Sequence, residues 1–392
     1  MSSLTLFPEI PSEGAAGGRG ILPYQDLRRL IAGGHLSASE PITEEQLQPA
    51  SVDLRLGPVA YQVRGSFLPG RKTRVETKLR DLVSDTLDLT TSRVLQKECV
   101  YIIPLVEELA LPSGVSGRAN PKSTLGRLDV FTRLITDYGS QFDVVPEGYK
   151  GRLYVEVAPR SFSVLVRAGT RLNQLRLSRG RPTGSDAMLS ALNATQSLVY
   201  LEDDAPARPD IAGGLWISID LKGAGPGGVV GYRALKGAPV IDLDMVDHYD
   251  PKEFWEAIPK PAKARLVLQP REFYILGSRE KIRVPPTAAA EMVSYDPSVG
   301  EYRIHYAGFF DPGFGYGDGE MAGTRAVLEV RSHEVPVVLE HGQRVGRLIY
   351  EQLLAVPEKL YGPAAGSSYY QQGIALSKQF RVSAGRRNPR RV

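Results

Sequence analysis

Residues 117 to 157 give the clearest indication of the fold, and they form two parts. The first is the polar loop Gly117-Arg118-Ala119-Asn120-Pro121-Lys122-Ser123-Thr124-Leu125-Gly126-Arg127. The second starts at Phe142-Asp143 and leads through a turn into Leu153-Tyr154-Val155-Glu156-Val157. Backbone N–H groups, hydroxyls and cations of such a loop can converge on phosphate oxygens. A carboxylate among β-forming apolar residues needs a partner or a chemical role. The stretch therefore predicts an anion-binding loop and a strand that carries a functional glutamate.

The sequence around this stretch is duplicated. Four matches share a spacing of 173 residues, namely Tyr101 with Tyr274, Pro112 with Pro285, Glu156 with Glu329, and Arg171 with Arg344. In addition, Ser51-Val52-Asp53-Leu54-Arg55 resembles Ser218-Ile219-Asp220-Leu221-Lys222 at a spacing of 167. We predict two tandem domains, residues 1–204 and residues 205–392. The loop itself is not repeated, because Tyr295-Asp296-Pro297-Ser298-Val299-Gly300 stands at the corresponding place.

Short strands separated by turns predict a mainly β fold. The chain has 40 glycines and 29 prolines, which favour turns. Strand patterns at this spacing are typical of a sandwich or a closed barrel rather than a βαβ fold. Three segments have helical patterns, at residues 23–34, 187–194 and 250–257.

Composition restricts the classes of function. The 392 residues are 42% hydrophobic and 23% charged, as in globular proteins. The four arginines between Gly385 and Val392 account for the net charge of +4, so the rest of the chain is near neutral. A nucleic-acid partner is therefore not expected. Cys99 is the only cysteine, which favours a reducing cytoplasm, and no apolar run predicts a membrane span.

The available side chains favour carboxylate chemistry over metal chemistry. The five histidines are scattered, no HExxH motif occurs, and Cys99 has no second cysteine with which to hold zinc. The His-x-Glu…Pro-Cys-x-x-Cys signature of zinc deaminases is also missing, so no catalytic zinc is expected. A glutamate in an apolar strand has a raised pKa and can move protons near neutral pH. Glu156 and Glu329 are the candidates.

Four motifs resemble the superfamily of trimeric dUTPases and dCTP deaminases, and most closely its long, duplicated bacterial dCTP deaminases. They are Ser51-Val-Asp-Leu-Arg-Leu-Gly57, Lys122-Ser-Thr-Leu-Gly-Arg127, Phe310-Asp-Pro-Gly-Phe314 leading to Glu329, and Tyr369-Tyr-Gln-Gln-Gly373. The resemblance covers most of residues 45–380. It implies two tandem distorted β-barrel domains of the dUTPase type with a few short helices.

The resemblance also implies roles for particular residues. Glu156 and Glu329 occupy the position of the catalytic glutamate, Ser123 that of the residue orienting water, and Arg127 that of the arginine pairing with the glutamate. The implied substrate-binding residues are Lys122, Thr124, Asp143, Asp311, Tyr370 and Gln372.

The implied partner is a dCTP or dUTP nucleotide whose triphosphate brings Mg²⁺. The resemblance further implies a homo-oligomer, in the family a homotrimer, with sites at domain or subunit interfaces. Two arrangements stay open, since either Glu156 or Glu329 can meet the loop of a first half. The sequence departs from the family at Lys122, where an arginine is usual, and at Gln141 and Phe309, which replace the arginine before the aspartate hairpin.

Three functions are compatible with these residues. The leading hypothesis is deamination of dCTP to dUTP and ammonia. The second is a dUTP pyrophosphatase or a bifunctional enzyme, which Asp53 and the aromatic pair Tyr369-Tyr370 keep open. The third is an inactive barrel that only binds nucleotides, although the retained loop of the first half argues against it.

Overall fold

A computed structural model describes residues 18–182, 184–223, 228–294, 302–304, 308–317, 321–332, 334–367, 369–370 and 373–382. Strands dominate this part of the chain. Those before residue 180 are β1 (Gly20–Ile21), β2 (Leu36–Ala38), β3 (Val52–Arg55), β4 (Val59–Val63), β5 (Val83–Asp88), β6 (Arg93–Leu95), β7 (Val100–Ala110), β8 (Val115–Pro121), β9 (Val130–Thr136), β10 (Val144–Val145), β11 (Lys150–Pro159), β12 (Val164–Val166) and β13 (Arg171–Arg179). The later ones are β14 (Val199–Tyr200), β15 (Leu215–Ser218), β16 (Val229–Ala234), β17 (Ile241–Asp242), β18 (Trp255–Pro259), β19 (Arg265–Leu268), β20 (Phe273–Ile282), β21 (Ala288–Ser294), β22 (Tyr302–Ile304), β23 (Phe309–Phe310), β24 (Thr324–Ser332), β25 (Val337–Glu340) and β26 (Arg344–Gln352).

The described α-helices are short: α1 (Tyr24–Ala32), α2 (Val75–Leu82), α3 (Ser123–Gly126) and α4 (Asp186–Thr195). The predicted helices at 23–34 and 187–194 are confirmed as α1 and α4. The sequence pattern gave no indication of α2, whose first N–H is capped by the distant Asp137 carboxylate (Val75 N to Oδ1, 2.8 Å).

The helix predicted at residues 250–257 is wrong. The Asp250 carboxylate accepts a hydrogen bond from the Lys252 N–H, and only a 3₁₀ turn, Pro251–Glu253, follows. Phe254 and Trp255 are buried in an aromatic cluster with Phe162 and Phe380. Trp255 begins β18, which pairs with β16. Tertiary packing of these rings therefore overrides the local helical pattern.

Each half of the chain contains two main sheets. In the first half they have the orders β1-β13-β8-β10, with β3 on β13, and β5-β4-β7-β11-β9, with β2 on β7. In the second half they are β15-β26-β21-β23 and β18-β16-β20-β24-β22, with β14 on β20. Two small sheets, β17-β12-β6 and β19-β25, complete the fold.

Strand register confirms the duplication at a spacing of 173. Glu156 is opposite Ile102 in the β11–β7 pair, and Glu329 is opposite Ile275 in the β24–β20 pair. The β13–β8 and β26–β21 pairs likewise share one register, since Arg176 lies opposite Arg118 and Ile349 opposite Glu291. The two halves are thus the same β-architecture built twice.

The match of Ser51–Arg55 with Ser218–Lys222 is wrong by four residues. Leu56 forms a β-bridge with Leu105, and Ile219 forms one with Ser278. Because Leu105 and Ser278 are equivalent at the spacing of 173, Leu56 corresponds to Ile219. A hydrogen bond in each half supports this alignment. The Gly169 N–H donates to the Leu56 carbonyl, and the Gly342 N–H, 173 residues later, donates to the Ile219 carbonyl. An alternating strand pattern looks the same after a shift of four residues, so only the pairing partner fixes the register.

The two halves interlock. The larger core includes first-half residues such as Leu27 and Val155 together with Phe273, Ile374 and Phe380. In turn, α4 and β14 belong to the second half in space, since Leu189 and Val199 lie in its core and β14 pairs with β20. The division between residues 204 and 205 stays a prediction. The interlocking matters because it places elements of both halves around one cavity.

Candidate active site

The predicted anion-binding loop is a single tight turn at the end of β8. The N–H groups of Leu125 and Gly126 both donate to the Lys122 carbonyl, which closes α3. Thr124 and Leu125 are buried, and the Thr124 hydroxyl shares a hydrogen bond with the Tyr369 hydroxyl (3.0 Å). Because these two residues anchor the turn, Ser123 between Lys122 and Thr124 is left exposed at the mouth of the site.

Arg127, at the end of this turn, is buried and held by the C-terminal segment. Its guanidinium lies 3.7 Å from the centre of the Tyr369 ring and donates to the Ala375 carbonyl (2.8 Å). The Nε of Arg127 is buried and has no hydrogen-bond partner among the described residues. The guanidinium is thus fixed in place while one donor stays available.

Glu329 lies in the middle of β24 and faces the same cavity. Burial raises the pKa of its carboxyl to about 7, and the charge of Arg127 opposes this shift. Ser123, Arg127 and Glu329 therefore border a single cavity of about 70 Å³. Its other lining side chains come largely from the second half and the C-terminal segment and include Met292, Phe309, Asp311, Phe314, Tyr361 and Tyr369.

The aspartate hairpin is held in this cavity by an arginine of the first half. Arg176 on β13 is completely enclosed and forms an ion pair with Asp311 (3.2 Å). It also donates to the Ala290 carbonyl (3.0 Å) and lies 3.9 Å from the centre of the Phe309 ring. Burial raises the pKa of Asp311, and Arg176 opposes that shift.

Lys122 connects the site to a second, polar cavity of about 350 Å³ on the other side of the turn. Its ammonium forms an ion pair with buried Asp53. The second cavity is also bordered by Arg167, Arg171 and Thr124. Cations and a hydroxyl thus surround both sides of the turn, a donor set that suits phosphate oxygens.

Of the predicted residues, Glu156 and Asp143 lie away from the cavity that Glu329 borders, and Thr124 borders only the second cavity. Glu156 is buried in the first half, where Arg133 on the neighbouring strand donates to its Oε1 from Nε (3.0 Å). Phe142 stacks on that guanidinium (3.6 Å). Asp143 is partly buried in the same hairpin and accepts a hydrogen bond from the Leu134 N–H (2.7 Å); this burial raises its pKa to about 7. Tyr370 packs near Tyr361 but does not border the cavity, and Gln372 lies outside the described residues.

Sequence reasoning missed Arg176 and Tyr361 as members of the site, and it pointed to Tyr369 only as part of the motif at residues 369–373. Arg176 had one visible signal, since it interrupts the apolar pattern of β13 between Leu175 and Leu177. Tyr361 had none, because only the return of the C-terminal segment brings it to the cavity.

No group of three or more potential metal-ligating side chains occurs within the ranges that the structure describes. Those ranges also contain no helix that is long and apolar enough to cross a membrane.

The fold and the site define a class of duplicated β-proteins that bring a buried glutamate to an anion-binding turn. Residues 18–181 match the model of the 2'-deoxycytidine 5'-triphosphate deaminase N-terminal domain, and residues 185–380 match that of its C-terminal domain. The chain therefore belongs to the dCTP deaminase family. The predicted dUTPase-like, mainly β fold is confirmed by this membership.

Individual relatives agree with the family models. The chain is similar to the crystal structure of 2'-deoxycytidine 5'-triphosphate deaminase from Agrobacterium tumefaciens, with 49% identity and a TM-score of 0.81 over 86% of this chain and 99% of that one. It is 31% identical to "dCTP deaminase, dUMP-forming" of Methanobrevibacter smithii over 33% of this chain and 65% of that protein. It is 25% identical to "dCTP deaminase" of Haloarcula marismortui over 42% of this chain and 86% of that protein.

Proposed function

We propose that the protein hydrolyses dCTP to dUTP and ammonia at one site per chain, between its two halves, with Glu329 as the group that moves protons. The observation that carries this proposal is the convergence of Glu329, Arg127 and Ser123 on one cavity. A carboxyl with a pKa of about 7 can accept and return protons near neutral pH, as general acid–base catalysis requires.

The reaction needs two proton transfers, and one carboxyl can perform both. Ser123 holds a water molecule beside the cavity, and the Glu329 carboxylate takes its proton as the oxygen bonds to C4 of cytosine. Glu329 passes this proton to ring N3. It then moves the proton of the new C4 hydroxyl to the amino group, so that the C4–N bond breaks and ammonia leaves. Arg127 keeps Glu329 from staying protonated, because a nearby positive charge favours the carboxylate.

The triphosphate is assigned to the turn between Lys122 and Thr124. Lys122 contributes a positive charge, and Ser123 and Thr124 contribute hydroxyl and backbone N–H donors. Mg²⁺ enters as part of the substrate, where it neutralises phosphate charge. The donors of the turn fit phosphate oxygens, and no step of the proton transfer depends on the ion.

Glu156 has a structural role in this proposal. Its carboxylate is already paired with Arg133, which Phe142 covers. In a homotrimer, as the family resemblance implies, each chain would then hold a complete site, and no neighbouring chain would have to contribute a residue to it. A deoxynucleotide substrate is consistent with a cytoplasmic location.

The two glutamates provide a matched pair of variants for the test. We expect Glu329→Gln to lower kcat for dCTP by about 10²- to 10⁴-fold, because glutamine cannot transfer protons. Glu156→Gln should keep kcat within a few-fold of the wild type, because it changes an equivalent buried position outside the cavity. Ammonia release from dCTP measures both. Equal losses in the two variants, or a loss in Glu156→Gln alone, would contradict the assignment.

A second candidate is a bifunctional reaction that also removes pyrophosphate and yields dUMP. It is favoured by the printed name of the Methanobrevibacter smithii relative, a dUMP-forming dCTP deaminase. Chromatography of the products distinguishes the two. Accumulation of dUTP supports deamination alone, and dUMP with pyrophosphate in equal amounts supports the bifunctional reaction. Binding of dCTP without any product would contradict both.

A further inference from the structure

A buried ion pair joins the two halves, and each of its members is two residues from a residue that borders the cavity. It is formed by the Asp129 carboxylate of the first half and the Arg331 guanidinium of the second. Asp129 is completely buried, and the side chain of Arg331 is nearly so. The Ser161 hydroxyl donates to Asp129 Oδ2 (2.6 Å), and Arg331 also donates to the Arg271 carbonyl. Several hydrogen bonds therefore hold the pair in place, although the buried Nε of Arg331 has no hydrogen-bond partner among the described residues.

On the first-half side, Asp129 is rigidly connected to Arg127. The Leu128 N–H donates to the Leu125 carbonyl and the Asp129 N–H to that of Gly126, both at 3.0 Å. Leu128 between them is completely buried in the core. Asp129 itself has a positive φ of 54°, which only a few residue types adopt readily. A displacement of Asp129 must therefore displace Arg127.

On the second-half side, Arg331 follows Glu329 by two positions on β24. Side chains alternate along a strand, so Glu329 and Arg331 point to the same face, towards the first half. Asp129 is thus two residues from Arg127, and Arg331 is two residues from Glu329. Arg127 and Glu329 both border the cavity.

We propose that Asp129 and Arg331 are positioning residues, whose ion pair sets the separation between the Arg127 guanidinium and the Glu329 carboxyl. This inference rests on the proposed function of that site. Neither residue touches the cavity, so both act through the segments that carry Arg127 and Glu329.

The duplication provides independent support. The ion pair occurs where the turn of the first half meets the glutamate strand of the second half, and the equivalent positions in the other halves lack both residues. At the spacing of 173, Arg331 corresponds to Ala158 and Asp129 to Tyr302. The strand of Glu156 therefore has no arginine two residues after its glutamate, and the second half has no aspartate after its degenerate loop. The ion pair therefore has no sequence equivalent between the strand of Glu156 and the second-half segment that replaces the loop.

The test is the pH dependence of dCTP deamination in Asp129→Asn. Loss of the pair lets Arg127 move away from Glu329, which removes the charge that lowers the pKa of that carboxyl. We expect kcat to fall about 10- to 100-fold, as displacement of a catalytic group by about 1 Å can cause. The acid limb of the kcat profile should move up by about half a pH unit or more. KM should stay within about two-fold, because the turn at Lys122 remains attached to β8.

Further variants separate positioning from stability. Arg331→Lys keeps the charge and should retain most of the wild-type pH profile. Arg331→Met removes the charge and should reproduce the shift of the acid limb seen in Asp129→Asn. If Asp129→Asn does not fold, Arg331→Met serves as the test in its place. Glu351→Gln is the matched control, since it removes another ion pair between the halves, with Arg118, which lies on β8 nine residues before Arg127, while Glu351 lies on β26 and not on the strand of Glu329. We expect it to lower stability at most.

Two outcomes would overturn the inference. One is an unchanged acid limb and kcat in Asp129→Asn and Arg331→Met, which would make the pair purely structural. The other is an equal shift in Glu351→Gln, which would make the effect unspecific. If the wild type does not deaminate dCTP, the proposed function fails, yet NMR titration of the Glu329 carboxyl in the same variants still tests the positioning.

Discussion

At the residue scale, one amino acid at two equivalent positions has two different environments. Glu156 and Glu329 occupy the same register in duplicated strands. Glu156 is neutralised by Arg133 on the adjacent strand, whereas Glu329 is buried next to a cavity with Arg127 on the opposite wall. A carboxyl acquires a role in proton transfer from its surroundings and not from its position in a motif.

Asp143 gives a residue-scale prediction about stability. Burial raises its pKa from 3.8 to about 7, so the folded protein binds a proton there that the unfolded chain has lost. The free energy of unfolding therefore decreases as the pH rises from about 4 to about 7. Asp143→Asn removes this cost, and asparagine also tolerates the positive φ of 62° at this position.

We expect Asp143→Asn to raise the free energy of unfolding by about 1–3 kcal/mol at pH 8 and by less than half of that at pH 5, where protonating the carboxyl in the folded protein costs less. Urea unfolding at the two pH values measures both. A gain of equal size at both values would mean that the carboxyl does not stay protonated in the folded protein.

At the element scale, the hairpin of the second half depends on a strand of the first. Phe309 stands where the resemblance implies an arginine, and Arg176 from β13 places its guanidinium against that ring and on Asp311. The duplicated position is Ile349, so this arginine has no equivalent in the other half. The hairpin of the second half therefore depends on a side chain from another element, a strand of the first half.

We predict that Arg176→Met destabilises the protein by about 3–5 kcal/mol, because it leaves Asp311 buried without its partner. The double variant Arg176→Met/Asp311→Asn should recover a large part of this loss, since no uncompensated charge remains. Denaturant unfolding of both single variants and of the double variant measures the coupling. Simple addition of the two single effects would show that the two residues do not stabilise each other.

At the scale of the whole molecule, the chain folds back on itself to close its own site. The C-terminal segment brings Tyr369 and Ala375 to Arg127, and the Ser377 hydroxyl donates to the Thr124 carbonyl (3.1 Å). Ile374 and Phe380 of the same segment are buried in the first-half core. The loop, the glutamate strand and the closing segment therefore all come from one chain.

A site within one chain predicts a negative result for complementation. Ser123→Ala and Glu329→Gln chains, co-expressed and purified together, should stay as inactive with dCTP as each variant alone. A site shared between chains would instead pair an intact turn from one chain with an intact glutamate from the other. Recovered ammonia release in the mixed sample would therefore contradict the assignment of both groups to one chain. A chain carrying neither change, mixed with an inactive one, controls for assembly.

Features that depend on local pattern and on repetition could be predicted from the sequence. Alternation and turns predicted a mainly β fold, the spacing of 173 predicted the duplication, and the residues from Lys122 to Arg127 predicted the anion-binding turn. It also narrowed the proton-transfer group to two glutamates. The offset of 167 and the helix at 250–257 were wrong, because a strand pattern tolerates shifts of register and because buried aromatic rings can override helical spacing.

Which glutamate meets the turn, and which contacts hold the two together, depends on how the two halves pack and could not be predicted from the sequence. Arg127 and Glu329 are separated by more than half of the chain, and so are Asp129 and Arg331. Contacts between residues so far apart leave no periodic trace in the sequence, because they depend on how two complete β-domains pack. Burial, which raises the pKa of Glu329, likewise exists only after that packing has formed.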